Sequence, residues 1–146
     1  MKWILLIAAG LAALVAIVML VGSRLPRNHV ASRSLTLRQS PQDVWTAVTA
    51  LASASGVPVD VVESDPPRRQ VTRVKETEKM FGGTWTIVIT PATGSGSVLT
   101  ITEDGWVENP IFRFVSRFVV GHHATMDGLL KKVAAQFNEP PLLSGE

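Results

Sequence analysis

Hydropathy divides the chain before any composition is counted. From Trp3 to Gly22 twenty residues pass without a charge, and as a helix rising ~1.5 Å per residue they span ~30 Å, the thickness of a bilayer hydrocarbon core. The run exceeds the ~7 to 15 residue apolar core of a cleaved signal peptide, and Leu20-Val21-Gly22-Ser23 is a poor small-x-small cleavage site. The pattern therefore predicts a retained single-pass transmembrane anchor over residues 1–22. Residues 23–33 keep no sustained period and read as a basic tether. Polarity then alternates from Ser34 to Arg38, with Leu35 and Leu37 on one face of a half-buried strand. Ser40-Pro41-Gln42-Asp43 supplies an N-cap, a proline at the first helical position and an acid at the third, and Val44, Val48 and Leu51 follow at helical spacing beside Trp45.

After Gly56 four strand-like runs follow: Val57 to Glu63, Gln70 to Glu76, Thr84 to Thr90 and Ser97 to Val107. Asp65-Pro66-Pro67, Gly82-Gly83 and Thr93-Gly94-Ser95-Gly96 separate them with turn chemistry, so an antiparallel meander is the simplest topology. Trp85, Ile87 and Ile89 share the core face of the third run. Asn109 caps a helix opened by Pro110 that runs through Ile111, Phe112 and Phe114 towards Val120, with Gly121 as a point of interruption. Beyond it Met126, Leu129, Leu130, Val133 and Phe137 form a helical stripe that needs an apolar partner, and the concave sheet is the one candidate large enough. The expected fold is α+β: a curved antiparallel sheet of about five strands packed around a long terminal helix, in a domain spanning residues 34–137. Residues 138–146, with Pro140-Pro141, read as a flexible tail.

Charge sharpens the picture near the anchor only. Arg24, Arg27, Arg33 and Arg38 occur with no acid among them, whereas residues 39–146 hold the other nine basic residues after Lys2 and all twelve acids. This suits anionic headgroups or a stop-transfer flank better than nucleic acid, and no nucleic-acid partner is expected. Three arginines after the span against Lys2 before it place the domain on the cytoplasmic side by the positive-inside rule. Without cysteine the chain has neither disulfides nor thiolate metal sites.

The order of elements resembles the helix-grip fold of the SRPBCC superfamily, the START-related lipid-transfer, pollen-allergen and polyketide-cyclase-like proteins. Ser40-Pro41-Gln42-Asp43-Val44-Trp45 is similar to that superfamily's opening S-P-x-x-V-W, and Gly83-Thr84-Trp85 to a mid-sheet element of its smaller members. Thr100-Ile101-Thr102-Glu103-Asp104-Gly105, running into Asn109-Pro110-Ile111-Phe112-Arg113-Phe114, resembles their strand-to-helix junction. The resemblance covers about residues 33–137 and implies a sheet folded around the terminal helix, with a cavity for lipids or other apolar molecules. Five strands, and no second helix after the first, imply a smaller or shallower cavity here.

Trp45, Trp85 and Trp106, with Met126 and Leu130, are the residues expected to line such a pocket, against plain core packing for each. Glu103, Asp104 and Glu108 near Arg113 and Arg117 point to ion pairing at the sheet-to-helix junction, and alternation places Glu103 and Asp104 on opposite faces. His123 and Asp127, one helical turn apart beside His122, have a chelating spacing but lack an identifiable third ligand, so neither metal nor cofactor is assigned. No nucleophile elbow, zincin or phosphate-loop motif occurs, and no catalytic residue is assigned. The expected function is non-catalytic binding of an apolar small molecule or lipid beside a membrane. The alternatives are a cyclase- or dehydratase-like enzyme using Glu103, Asp104 or His123, and an interaction module with a filled core.

Overall fold

Local signals set the helix starts where the sequence places them. In the computed structural model, which describes residues 1–75 and 80–145, Ser40 Oγ accepts from the Asp43 amide at 3.3 Å and donates to the Asp43 carboxylate at 2.6 Å. This closes the first turn of α2, Pro41–Ser53, which comes third in the chain after α1, Lys2–Arg24, and strand β1, Asn28–Leu37. Asn109 Oδ1 accepts from the Ile111 amide at 2.8 Å and opens α3, Pro110–Val115, which widens into a π-helical turn over Ser116–Val120. Gly121, at φ +80°, breaks the run in the left-handed region that favours glycine, and α4 follows over Ala124–Gln136.

Among the described residues the sheet has six antiparallel strands in the order β2-β3-β4-β5-β1-β6, with β2 at Val59–Asp65, β3 at Arg69–Val74, β4 at Phe81–Pro91, β5 at Ser97–Val107 and β6 at Leu143–Ser144. The meander holds from β2 to β5, and β1 closes onto β5. The curved sheet with α2 and α4 against it is the helix-grip arrangement. Leu35, Leu37, Ile87, Ile89, Leu99 and Ile101 point from the sheet into a core shared with Val44 and Val48 of α2 and Met126, Leu130 and Val133 of α4, all 2 % exposed or less. Burying a side chain of this size stabilises by about 1.5–3 kcal/mol.

Three expectations are corrected. Strand β1 begins at Asn28, so most of the expected tether, residues 28–33, belongs to the sheet. The inward positions there are His29, Ala31 and Arg33; they alternate, but with polar or small side chains, so hydropathy hides the period. A sixth strand lies in the expected tail: Leu143 pairs with Leu35 and packs on the core, the Gly145 carbonyl accepts from Arg33, and the Glu139 carboxylate accepts from the Arg38 amide. Gly82-Gly83 lies inside β4 rather than in a turn. A Cβ on Gly82 would come within 2.8 Å of the Trp106 ring, and Gly83 is at φ +149° against the β5 backbone, so close packing explains the pair. The interruption expected at Gly121 is present: the stretch after Asn109 and the terminal helix are two helices of six and thirteen residues, with a π-turn on the first. Glu76, the expected end of the second run, falls outside the described residues.

Helix α1 is long and apolar enough to cross a membrane: its most apolar eighteen-residue stretch has mean hydropathy 3.1 and no buried residue; a signal sequence would pass the same test of length and composition. Its last turns are not isolated. Gly22 is buried under the Pro110 carbonyl, where no Cβ would fit. Arg113, only 9 % exposed, donates from Nη1 to the Gly22 and Leu25 carbonyls at 3.3 and 2.9 Å and from Nη2 to the Glu108 carbonyl at 2.8 Å. One guanidinium thus caps the C-terminal end of α1 and ties it to α3.

Candidate functional site

Helix α4 is short, and that leaves part of the sheet uncovered. Every residue of β2 is exposed, and between the β2–β3 hairpin, the end of α2 and α4 lies a cavity of about 530 Å³. Ligand pockets usually measure about 300–1,000 Å³. Leu51 and Ala52 of α2, Val59 and Val61 of β2, Ile87 of β4 and Leu129 of α4 give it apolar walls. Gly128 stands in the wall as a gap, since a Cβ there would meet nothing within 4 Å. Thr125, Gly128, Leu129 and Lys132 of α4 share the cavity face at offsets of three, four and seven.

A hydrogen-bonded polar centre faces this space. Glu103 reaches inward from β5, accepting the Trp85 Nε1–H at Oε2 over 3.0 Å, while Oε1 lies 3.2 Å from His29 Nε2. The His29 ring stacks on His122 with centroids 4.2 Å apart and planes 21° from parallel. Burial, followed by His29 and Arg117, lowers the His122 pKa below 6.5. Two stacked imidazolium rings would repel, so the pair disfavours double protonation. A titration of the ring proton shifts is expected to give His122 a midpoint below 6.5, moving up when His29 is replaced by Gln. Because the folded value lies below the unfolded one, the stability linked to this group is complete above pH 6.5 and declines as the pH falls below it.

The sequence-predicted residues separate. Trp85 lines the cavity. Trp45, Met126 and Leu130 are packed in the core, the last two with no exposure. Trp106 lies on the face of β5 opposite Glu103, its ring over Gly82. Glu103 and Asp104 do point to opposite faces, Asp104 being exposed. The junction pairing differs from expectation: Glu108 meets Arg27 at 3.3 Å, Glu103 meets His29, and Arg113 serves backbone carbonyls instead. Asp127 Oδ1 lies 3.0 Å from Arg33 Nε without hydrogen-bond alignment, so that carboxylate faces an arginine rather than His123 alone. Among the described residues no group of three His, Asp or Glu side chains gathers as a metal site. Sequence reasoning missed His29, placed in the tether, and the valines of β2 as cavity walls. The inward positions beside that histidine, Ala31 and Arg33, are small and polar, so the sequence carried no hydropathy signal for the first.

This architecture defines the class: a helix-grip α+β domain with a partly open cavity and an apolar N-terminal helix. No family model and no curated protein matches the sequence. Solved structures do match. A conserved protein from Geobacillus kaustophilus superposes with TM-score 0.61 at 13 % identity over 79 % of this chain and 99 % of its own. CalU16 from Micromonospora echinospora gives 0.58 at 12 % identity over 79 % of this chain and 78 % of its own. PFC0360w, an HSP90 activator from Plasmodium falciparum, gives 0.53 at 11 % identity over 79 % and 99 %. At such identities the likeness is one of fold.

Proposed function

We propose that the chain is a single-pass membrane protein of the SRPBCC kind whose helix-grip domain, on the cytoplasmic side, holds an apolar small molecule or lipid without transforming it. The observation that carries this reading is the cavity of about 530 Å³, mostly apolar in its walls, with the Glu103 carboxylate and the Trp85 indole among its polar groups. A few placed polar groups in an apolar space orient a ligand. The position of the cavity supports a ligand drawn from the membrane. Its rim residue Phe81, 62 % exposed, pairs with Val107, whose amide donates to the Arg27 carbonyl just past α1. The cavity therefore reaches the end of the sheet from which the apolar helix departs.

A second reading, a cyclase- or dehydratase-like enzyme, is favoured by one observation, the carboxylate of Glu103 at the cavity wall with His29 behind it. Asp104 and His123, the other candidates for proton transfer, do not line the cavity. A filled-core interaction module fits less well with a space of this size.

Native mass spectrometry on the full chain, released from detergent after exposure to mixed fatty acids and phospholipids, tests the binding reading. Retention of a discrete, saturable adduct is expected; a bare protein at every ligand concentration would refute it. Glu103→Gln is expected to weaken the retained ligand by no more than roughly tenfold, the worth of one hydrogen bond to a charged group, while leaving its mass unchanged. A ligand that leaves the wild type chemically altered, and the variant unaltered, would instead establish the enzyme.

A further inference from the structure

A second cavity, of about 360 Å³, lies where the chain leaves α1, and the apolar-ligand reading does not use it. Leu25, Pro26 and Arg27 form one side, and Arg113, Ser116, Arg117 and His122 another, with His29 between this space and the Glu103 carboxylate. Its lining holds three arginines and two histidines and no Asp or Glu. Glu108 reaches Arg27 from outside the lining, but no described carboxylate lies within ion-pair distance of Arg117. Arg113 is nine-tenths buried, and its Nε has no hydrogen-bond partner among the described residues even though both Nη atoms are engaged. The lining thus brings guanidinium groups together with no carboxylate among them, and an anion is the ligand such a cavity suits.

The surroundings identify the kind of anion. Phe112, Phe118, Val119 and Val120, on α3 and the π-turn that supply Arg113 and Arg117, are 47 %, 59 %, 71 % and 57 % exposed. They lie on the segment that packs against the last turns of α1. Arginines beneath a rim of large apolar side chains, at the level where a spanning helix emerges, match a phospholipid: phosphate to the guanidinium groups, glycerol and acyl chains along Phe118 and Val119. A free phosphate ester would have no use for that rim.

We propose that this cavity is a binding site for the headgroup of an anionic phospholipid, which fixes the domain against the bilayer surface. The inference rests on the reading of α1 as a membrane anchor. Its test uses the full chain in detergent, offered equal phosphatidylglycerol and phosphatidylcholine of matched acyl chains, with lipid adducts weighed by native mass spectrometry. Phosphatidylglycerol should be retained over phosphatidylcholine by roughly tenfold or more, and Arg117→Gln should lower that preference about fivefold while Arg117→Lys keeps most of it. Equal retention of the two lipids, or a preference untouched by Arg117→Gln, overturns the site. Displacement by an equal concentration of glycerol 3-phosphate would assign it to a soluble phosphate ester and overturn the lipid assignment. The chain has no cysteine, so a nitroxide on Leu14→Cys in phosphatidylglycerol vesicles reports the anchor separately. A label in the hydrocarbon without lipid preference sinks the headgroup site and leaves the anchor standing; a label in water removes the anchor and this inference with it.

Discussion

Replacing Gly128 with phenylalanine is expected to abolish uptake of apolar ligand while leaving the domain folded and more stable. Gly128 lies within α4, where glycine costs about 0.5–1 kcal/mol relative to alanine, so the backbone gains from any side chain. A Cβ there meets no atom within 4 Å, and the growing ring enters the cavity rather than a neighbour. The ring also buries its own apolar surface against the apolar walls of the cavity. Two readouts separate the possibilities: adducts should fall more than tenfold, and the melting temperature in the absence of ligand should rise by a few degrees. Undiminished uptake in a well-folded variant would mean that the ligand sits elsewhere.

Truncating Arg113 to alanine should have the largest effect on stability of any single change at the junction, a loss of about 3–5 kcal/mol. Three carbonyls, of Gly22, Leu25 and Glu108, lose a charged donor at once, and the side chain is too buried for water to replace it without rearrangement. Arg113→Lys keeps the charge but cannot fork to three acceptors, so it should recover only part of the loss. Urea unfolding in a fixed detergent gives the comparison. A loss below about 1 kcal/mol for the alanine variant would show that the end of α1 and α3 are held by apolar packing alone.

The parts of this molecule legible in the sequence are those encoded locally. Ser40-Pro41 and Asn109-Pro110 carry their own capping chemistry, and the stripe from Met126 to Val133 declares its buried face, so both appear in the structure where the pattern puts them. Long-range facts were harder. Strand β1 is half polar on its inward side because His29 meets Glu103 and Arg33 meets Asp127, partners 74 and 94 residues away, and no periodicity reports such pairs. The two-residue β6 is stabilised by its pairing with β1 and has no signal of its own. Of the candidate site, Trp85 and Glu103 were legible. Three of the other four residues expected to line a pocket are packed as core and one lies on the outer face, since apolarity marks burial without distinguishing a filled interior from an empty one. The cavity arises from what α4 fails to cover, a property of its length relative to the hairpin of β2 and β3.

The most direct test of the central claim is to locate the ligand. With the full chain in detergent micelles, methyl-labelled at Ile and Leu and loaded with a fatty acid identified by mass spectrometry, intermolecular NOEs can be read between acyl protons and side-chain methyls. Contacts to Leu51, Ile87 and Leu129, with none to the core methyls of Leu35 and Leu99, are the predicted result. Acyl contacts confined to the methyls of α1, with none to Leu51, Ile87 or Leu129, would contradict the account and leave the cavity without a ligand.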